Sequence, residues 1–337
     1  MRIKKRYANS GYLIPIYSGN KKGIEMGFNW LFAIVAGGFI LFLAIYAAGR
    51  LVNSGSIVGN TLNAKNFVNI LETWEAGLAA GVKPPELQFR TDTNLYFGCS
   101  AELELPFGKQ TVSASDIMFN DRTSEIGYSV AIRSKYIFTE NQLRGKRFYP
   151  FSVGFFMPFH IADLIIFSDR DYCFYDAPAQ LQNDLQQLQL NNVLFPNKTT
   201  ACEGVRVCFS NNAECDIVVS TSGKYVIKED VKMYYYGNLI YAAIFSSPEI
   251  YECNVKRLMN KLNQLGPIYL DKIEIIKRKN CESNVAPKLN QLITGAETLS
   301  SSADLAILAK VSEDIDSINE GADPGCKLYK NQEKNEY

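Results

Sequence analysis

From Phe28 to Ala48 the chain runs for 21 residues without a charge, FNWLFAIVAGGFILFLAIYAA, behind a basic head and ahead of every cysteine. A helix rises about 1.5 Å per residue, so such a run crosses roughly 30 Å of hydrocarbon. Secretory signal peptides have apolar cores of about 7–15 residues that end in a small-residue cleavage site. Ala47, Ala48 and Gly49 would supply that site, but the length of the run favours a retained anchor. Arg2, Lys4, Lys5, Arg6, Lys21 and Lys22 precede the run against one acid, Glu25, and only Arg50 lies close behind it. Positive charge stays on the cytoplasmic side, which makes 1–27 a cytoplasmic head, 28–48 a transmembrane helix in the lipid bilayer and 49–337 extracytoplasmic.

Charge and cysteine usage restrict the exported part. Of 35 basic and 35 acidic residues the head holds six and one, leaving 29 against 34 beyond it. That balance lacks the basic footprint of a nucleic-acid binder, so no nucleic-acid partner is expected. Cys99, Cys173, Cys202, Cys208, Cys215, Cys253, Cys281 and Cys326 all follow the span. An even count on the oxidising side reads as a disulfide framework whose connectivity sequence alone does not choose. The competing zinc reading has no C-x-x-C, a single histidine in His160, and at Cys202, Cys208 and Cys215 a spacing unlike that of zinc ligands. No metal or other cofactor is expected. Asn197-Lys198-Thr199 is a glycan acceptor if the host glycosylates.

The pattern along the chain predicts an α+β fold. Asn53-Ser-Gly-Ser56 and Gly59-Asn60 read as a polar break, after which Phe67, Ile70, Leu71, Trp74 and Leu78 recur at helical spacing until Lys83-Pro84-Pro85. Residues 49–85 are therefore a linker and a stalk helix, capped by Asn60 or Thr61. Residues 86–285 form a disulfide-stapled domain, mainly of antiparallel sheet with packed helices. Alternation at 101–105 and at Ile126, Tyr128, Val130 and Ile132 marks strands. The apolar stretch from Phe148 to Phe174 is a central strand, although Leu164 to Phe167 also fit a helix. A short amphipathic helix carries Leu181, Leu185, Leu188 and Leu190. Val205–Phe209 and Asp216–Ser220 suggest a hairpin with Cys208 facing Cys215, and a second hairpin turns at Ser222-Gly223. YYYGNLIYAAIF reads as a strand, and Ser246-Ser247-Pro248-Glu249 opens a helix with a hydroxyl cap, an early proline and an early acid. Segment 286–325 is helical, a hairpin or one interrupted helix, and 326–337 is a polar tail, mobile from Lys327.

Chemistry-bearing motifs are few. There is no G-x-S-x-G, H-E-x-x-H or G-x-x-x-x-G-K-[ST]. His160, between Phe159 and Ile161, reads as a core histidine without a marked partner. Asp163, Asp169, Asp171 and Asp176 cluster in sequence, and a carboxylate pair held roughly 5–9 Å apart would suit glycoside hydrolysis. Ser222 and Lys224 have the residue types of a serine–lysine pair, but Ser-Gly is better explained by a turn. Tyr234-Tyr235-Tyr236 and Phe151 to Phe159 have the residue types of a carbohydrate or peptide groove, but alternating aromatics in strands are better explained as core and cross-strand pairs. No catalytic residue is assigned, and a non-enzymatic protein is expected.

The anchor itself carries a pattern. Ala33, Gly37, Ala44 and Ala48 share one helical face, where small residues allow close approach of a second helix and self-association in the membrane. The approach to the span, Lys21-Lys22-Gly23-Ile24-Glu25-Met26-Gly27-Phe28, resembles the processing site of archaeal type IV pilins and related class III signal sequences. The resemblance implies cleavage after Gly23, Glu25 as the acid near the start of the helix, and Phe28 to Ala48 as a filament-core helix. In that family the acid stands at the fifth position after the cut; here it stands at the second. The blocks PFHIADLIIFSDRDYCFYDAP and GNLIYAAIFSSPEIYECNVKRLMNKL resemble uncharacterised archaeal single-pass surface proteins, which implies topology and class but no activity. The expected function is that of a cell-surface structural or binding protein, with a cell-surface or filament partner. The alternatives are a pilin-like minor subunit and an extracytoplasmic hydrolase.

Overall fold

The computed structural model describes residues 28–78, 86–101, 107–118, 121–196, 202–210, 215–278, 281 and 284–330. Gly23, Glu25, Asn197 and the alternating segment 102–105 lie outside the described residues. The chain divides into two units, 1–52 and 53–337.

In the first unit the long helix α1 (Phe28–Leu78) begins. Its apolar stretch has a mean hydropathy of 2.5 and is solvent-exposed, so it is long and apolar enough to cross a membrane. Ala33, Gly37, Ala44 and Ala48 are exposed on it, and a Cβ added at Gly37 would meet nothing within 4 Å.

The expected break at 53–60 does not occur: α1 runs through it. Each glycine costs a helix about 1 kcal/mol relative to alanine, a deficit that tertiary contacts readily offset. Asn60 does not cap; its amide donates to Ser124 Oγ and to the Glu125 carbonyl. Thr61 accepts from the Tyr128 N–H. A Cβ on Gly127 would lie 2.5 Å from the Thr61 nitrogen, so the missing side chain at Gly127 lets segment 124–128 lie directly on the helix. Ile126 and Tyr128 are accordingly exposed and outside any strand, leaving only Val130 and Ile132 of that alternation in a sheet.

Two six-stranded sheets follow. The strands are β1 (Leu87–Ser100), β2 (Lys109–Asp116), β3 (Val130–Ile132), β4 (Tyr136–Phe138), β5 (Gln142–Phe156) and β6 (His160–Ser168), in the order β3-β2-β1-β5-β6-β4. All neighbours in this sheet are antiparallel except β4 and β6. Next come β7 (Tyr172–Tyr175), α2 (Ala179–Gln187), β8 (Val193–Leu194), β9 (Val205–Cys208), β10 (Ile217–Ser220), β11 (Tyr225–Lys228) and β12 (Val231–Tyr234). They give a mixed second sheet, β12-β11-β10-β9-β7-β8, rather than a mainly antiparallel one. Among the described residues six helical segments follow: α3 (Leu239–Phe245), α4 (Pro248–Lys277), α5 (Val285–Glu297), a 3-10 turn (Ser302–Asp304), α6 (Leu305–Glu320) and a second 3-10 turn (Pro324–Cys326).

β6 explains the apolar stretch around it. Ile165 and Phe167 enter a core with Ala64, Phe67 and Leu71 of α1, whereas Leu164 and Ile166 enter a larger core with α3 and α4. A strand covered on both faces reads as a continuous apolar run. The same ambiguity accounts for α3, expected as a strand and found as a helix with all seven residues buried. A short unbroken apolar run has no period to separate strand from buried helix.

β9 and β10 pair in parallel, not as the expected hairpin, yet Cys208 and Cys215 do bond. Asp216 accepts from the Arg206 backbone N–H, so β10 starts level with β9 and runs alongside it. The other pairs are Cys99–Cys253, Cys173–Cys202 and Cys281–Cys326. The helix from Pro248 has its expected cap, Ser247 Oγ accepting from Ile250 N–H, and the turn between β10 and β11 falls at Ser222-Gly223 as expected. The polar tail is not loose at its start: Leu328 and Tyr329 are buried, clamped by the Asn319 amide.

Candidate functional site

A cleft of about 900 Å³ opens between the exposed face of α6, the β10–β11 turn, the end of β5 and the segment that follows β12. α6 buries Leu308, Val311 and Ile315 and turns Ala306, Ala309, Lys310, Glu313, Asp316, Ser317 and Glu320 to the cleft, two stripes of the same helix offset around its axis.

Opposite stand Tyr234, Tyr235 and Tyr236. The carbonyl of Tyr234 accepts the Tyr251 hydroxyl, and its N–H donates to Ser302 Oγ, itself held by the Glu252 carboxylate. Consecutive residues of α4 thus fix the end of β12. Tyr235 is buried and donates to the Ser220 carbonyl; burial pushes its phenol up to about 12, so it is a neutral donor. Gly237 turns the chain at φ +52, a left-handed conformation that glycine adopts without a Cβ clash. Asn238 donates to the Gly154 carbonyl, tying this segment to β5, where Phe156 adds a further ring. Asp316 accepts the Tyr329 hydroxyl at 2.6 Å, and burial raises that phenol.

The structure brings together only part of what the sequence singled out. Tyr234, Tyr235, Tyr236 and Phe156 meet at the cleft, whereas Phe151, Phe155 and Phe159 are core residues, Phe159 stacked on Tyr269 at 3.7 Å. Ser222 and Lys224 both line the cleft, but among the described residues no hydrogen bond joins them. Their turn is organised instead by Gly223 N–H donating to Ser220 Oγ.

His160 is not a core histidine. It is 47% exposed, beside Phe156, with its Nε2 3.0 Å from Asp163 Oδ1. Asp169 accepts from the Arg144 backbone N–H and from Arg170, and Asp176 accepts from Ser210. Asp163 lies in β6 and Asp169 just past its end, six residues on, about 20 Å for extended chain, and none of the four aspartates lines the cleft. Among the described residues no group of three His, Cys, Asp or Glu is placed to hold a metal ion.

Sequence reasoning missed Lys310, Glu313, Asp316 and Glu320. Their signal was the polar stripe of a helix read only for its apolar side. No family profile, curated protein or solved structure matches this chain.

Proposed function

We propose that this protein is a single-pass, membrane-anchored binding protein that presents its disulfide-bonded α+β domain on the extracytoplasmic side and binds through the cleft beside α6. Three features support the reading. The helix at Phe28 is apolar and long enough to span a bilayer. Basic residues gather ahead of it, and the four disulfides behind it suit an oxidising compartment. The observation that carries the binding function is the cleft, a concavity of ligand-binding size that keeps tyrosine rings, carboxylates and ammonium groups at the surface.

The test is retention of the full chain, in lipid nanodiscs, on envelope material isolated from its own source cells. Wild-type protein is expected to sediment with the envelope. Ala309→Trp and Ser317→Trp, which plug the cleft from the face of α6, are expected to lower retention about tenfold, a loss of roughly 1.4 kcal/mol. Retention that ignores both plugs would overturn the reading.

The continuity of α1 favours a second reading, that of a pilin-like minor subunit. One helix carries both an exposed apolar half and the buried Ala64, Phe67 and Leu71, and the small-residue face at Ala33, Gly37, Ala44 and Ala48 is open to a neighbouring helix. Mass spectrometry of protein from native membranes separates the two: chains beginning at Ile24 mean processing after Gly23, and chains beginning at Met1 or Arg2 mean a permanent anchor.

A further inference from the structure

We infer that the ligand of the cleft is a linear, electrically neutral glycan; this rests on the cleft being the binding face. The first observation is shape. The lining runs from Ala306 to Glu320, the full length of α6, which at a helical rise is about 20 Å. Ala306, Ala309 and Ser317 keep that wall low along its length. A groove of this kind holds several rings of a chain in succession, and one small molecule would leave most of it empty.

The second observation is charge. Lys224 and Lys310 stand against Glu313, Asp316 and Glu320, so the two signs nearly cancel and neither a polyanion nor a polycation finds a field of one sign. What the wall offers is a supply of hydrogen-bonding groups. Carboxylates accept from hydroxyls and ammonium groups donate to them, and a polyol satisfies both without bringing a charge.

The third is the aromatic wall. Tyr234, Tyr236 and Phe156 are only partly buried, so their rings present apolar area to the cleft. The C–H faces of sugar rings match such surfaces while their hydroxyls point sideways to the polar groups of α6.

An extended peptide is the competing polymer, and the backbone argues against it. An extended peptide held through its backbone adds a strand to a free edge. The edge at the cleft is β12, only four residues long, and both backbone groups of Tyr234 are already engaged, by Ser302 and Tyr251.

The experiment repeats the envelope sedimentation with the full chain in nanodiscs, after mild periodate oxidation of the envelope, which cleaves vicinal diols and leaves peptide bonds intact. Retention is expected to fall at least tenfold. If oxidised envelope retains the wild-type chain within twofold while Ala309→Trp and Ser317→Trp still abolish retention, the glycan assignment is overturned and the cleft stands as a site for another ligand. If the plugs have no effect, or untreated envelope retains nothing, the reading of the cleft fails and the glycan assignment with it.

Discussion

Lys228 shows how much one buried polar side chain can organise. Its ammonium group is 9% exposed, bonds the Glu140 carboxylate, and donates to the carbonyls of Ile244 and Ser246 at the C-terminal end of α3. It therefore joins β11, the segment after β4 and the end of α3, where a positive charge also meets the negative end of the helix. Lys228→Met should destabilise the domain by about 3 kcal/mol, because it leaves the carboxylate of Glu140 largely buried without its cation. Adding Glu140→Gln should recover part of that loss, and a double-mutant cycle in urea measures the coupling. Additive effects of the two changes would refute the pairing. In sequence Lys228 was a polar position of the strand KYVIK; the carboxylate 88 residues upstream was not legible, because residue type reveals the need for a partner but not its address. Asn60 and Thr61 teach the same lesson. Their types suit caps, yet their side chains are spent on segment 124–128.

Elements whose signal is local were legible and those defined by pairing were not. The cap at Ser247, the helical interruption near Ser300-Ser-Ser302 and the turn at Ser222-Gly223 rest on residues a few positions apart, and the structure has them. The parallel pairing of β9 with β10 and the helical state of α3 depend on what covers them, which one chain read in order does not contain. Tyr234-Tyr235-Tyr236 stood out in the sequence but read more readily as core, because an aromatic run looks the same in either setting; the α6 half of the cleft gave no signal, because polar residues on an exposed helix face look the same whether or not another wall stands opposite. The disulfides are the pairing made covalent. Cys99–Cys253 closes 154 residues and joins the end of β1 to α4, whereas Cys208–Cys215 closes seven. The chain-entropy relation assigns them about 5 and about 2 kcal/mol. Replacing each pair by serines should therefore cost markedly more midpoint in guanidinium for Cys99 and Cys253 than for Cys208 and Cys215. Equal costs would mean that the long bridge does not constrain the unfolded chain.

At the scale of the molecule, the domain is built to withstand acid better than base. Among the described residues the depressed carboxyls lie near the surface: Asp216, lowered first by the Arg206 side chain, Asp304, lowered first by the Ser300 N–H, Glu274, lowered first by the Lys277 side chain, and Asp314, lowered first by the Lys288 side chain. Their contribution is present above the ordinary value, 3.8 for the aspartates and 4.5 for Glu274, and is lost only as pH falls through their lower folded values. The tyrosines are the opposite case. Burial holds Tyr136 and Tyr235 at about 12 and raises Tyr172, Tyr251 and Tyr329 above the ordinary 10 as well. Tyr172 and Tyr251 are almost wholly enclosed in the core shared by both sheets and the helices, so ionising them requires opening that core. A group whose folded value is raised contributes stability that is complete below its unfolded value and disappears as pH rises through the folded one. The folded state keeps these protons from pH 10 upward while the unfolded chain gives them up, so stability should fall steeply above pH 10 and change little from there down to about pH 4. Tyrosinate absorbance recorded alongside circular dichroism checks this: a set of phenols should resist titration until the fold is lost, then ionise together with it. Smooth titration of every tyrosine near pH 10 with the fold intact would show that these rings are not enclosed as described.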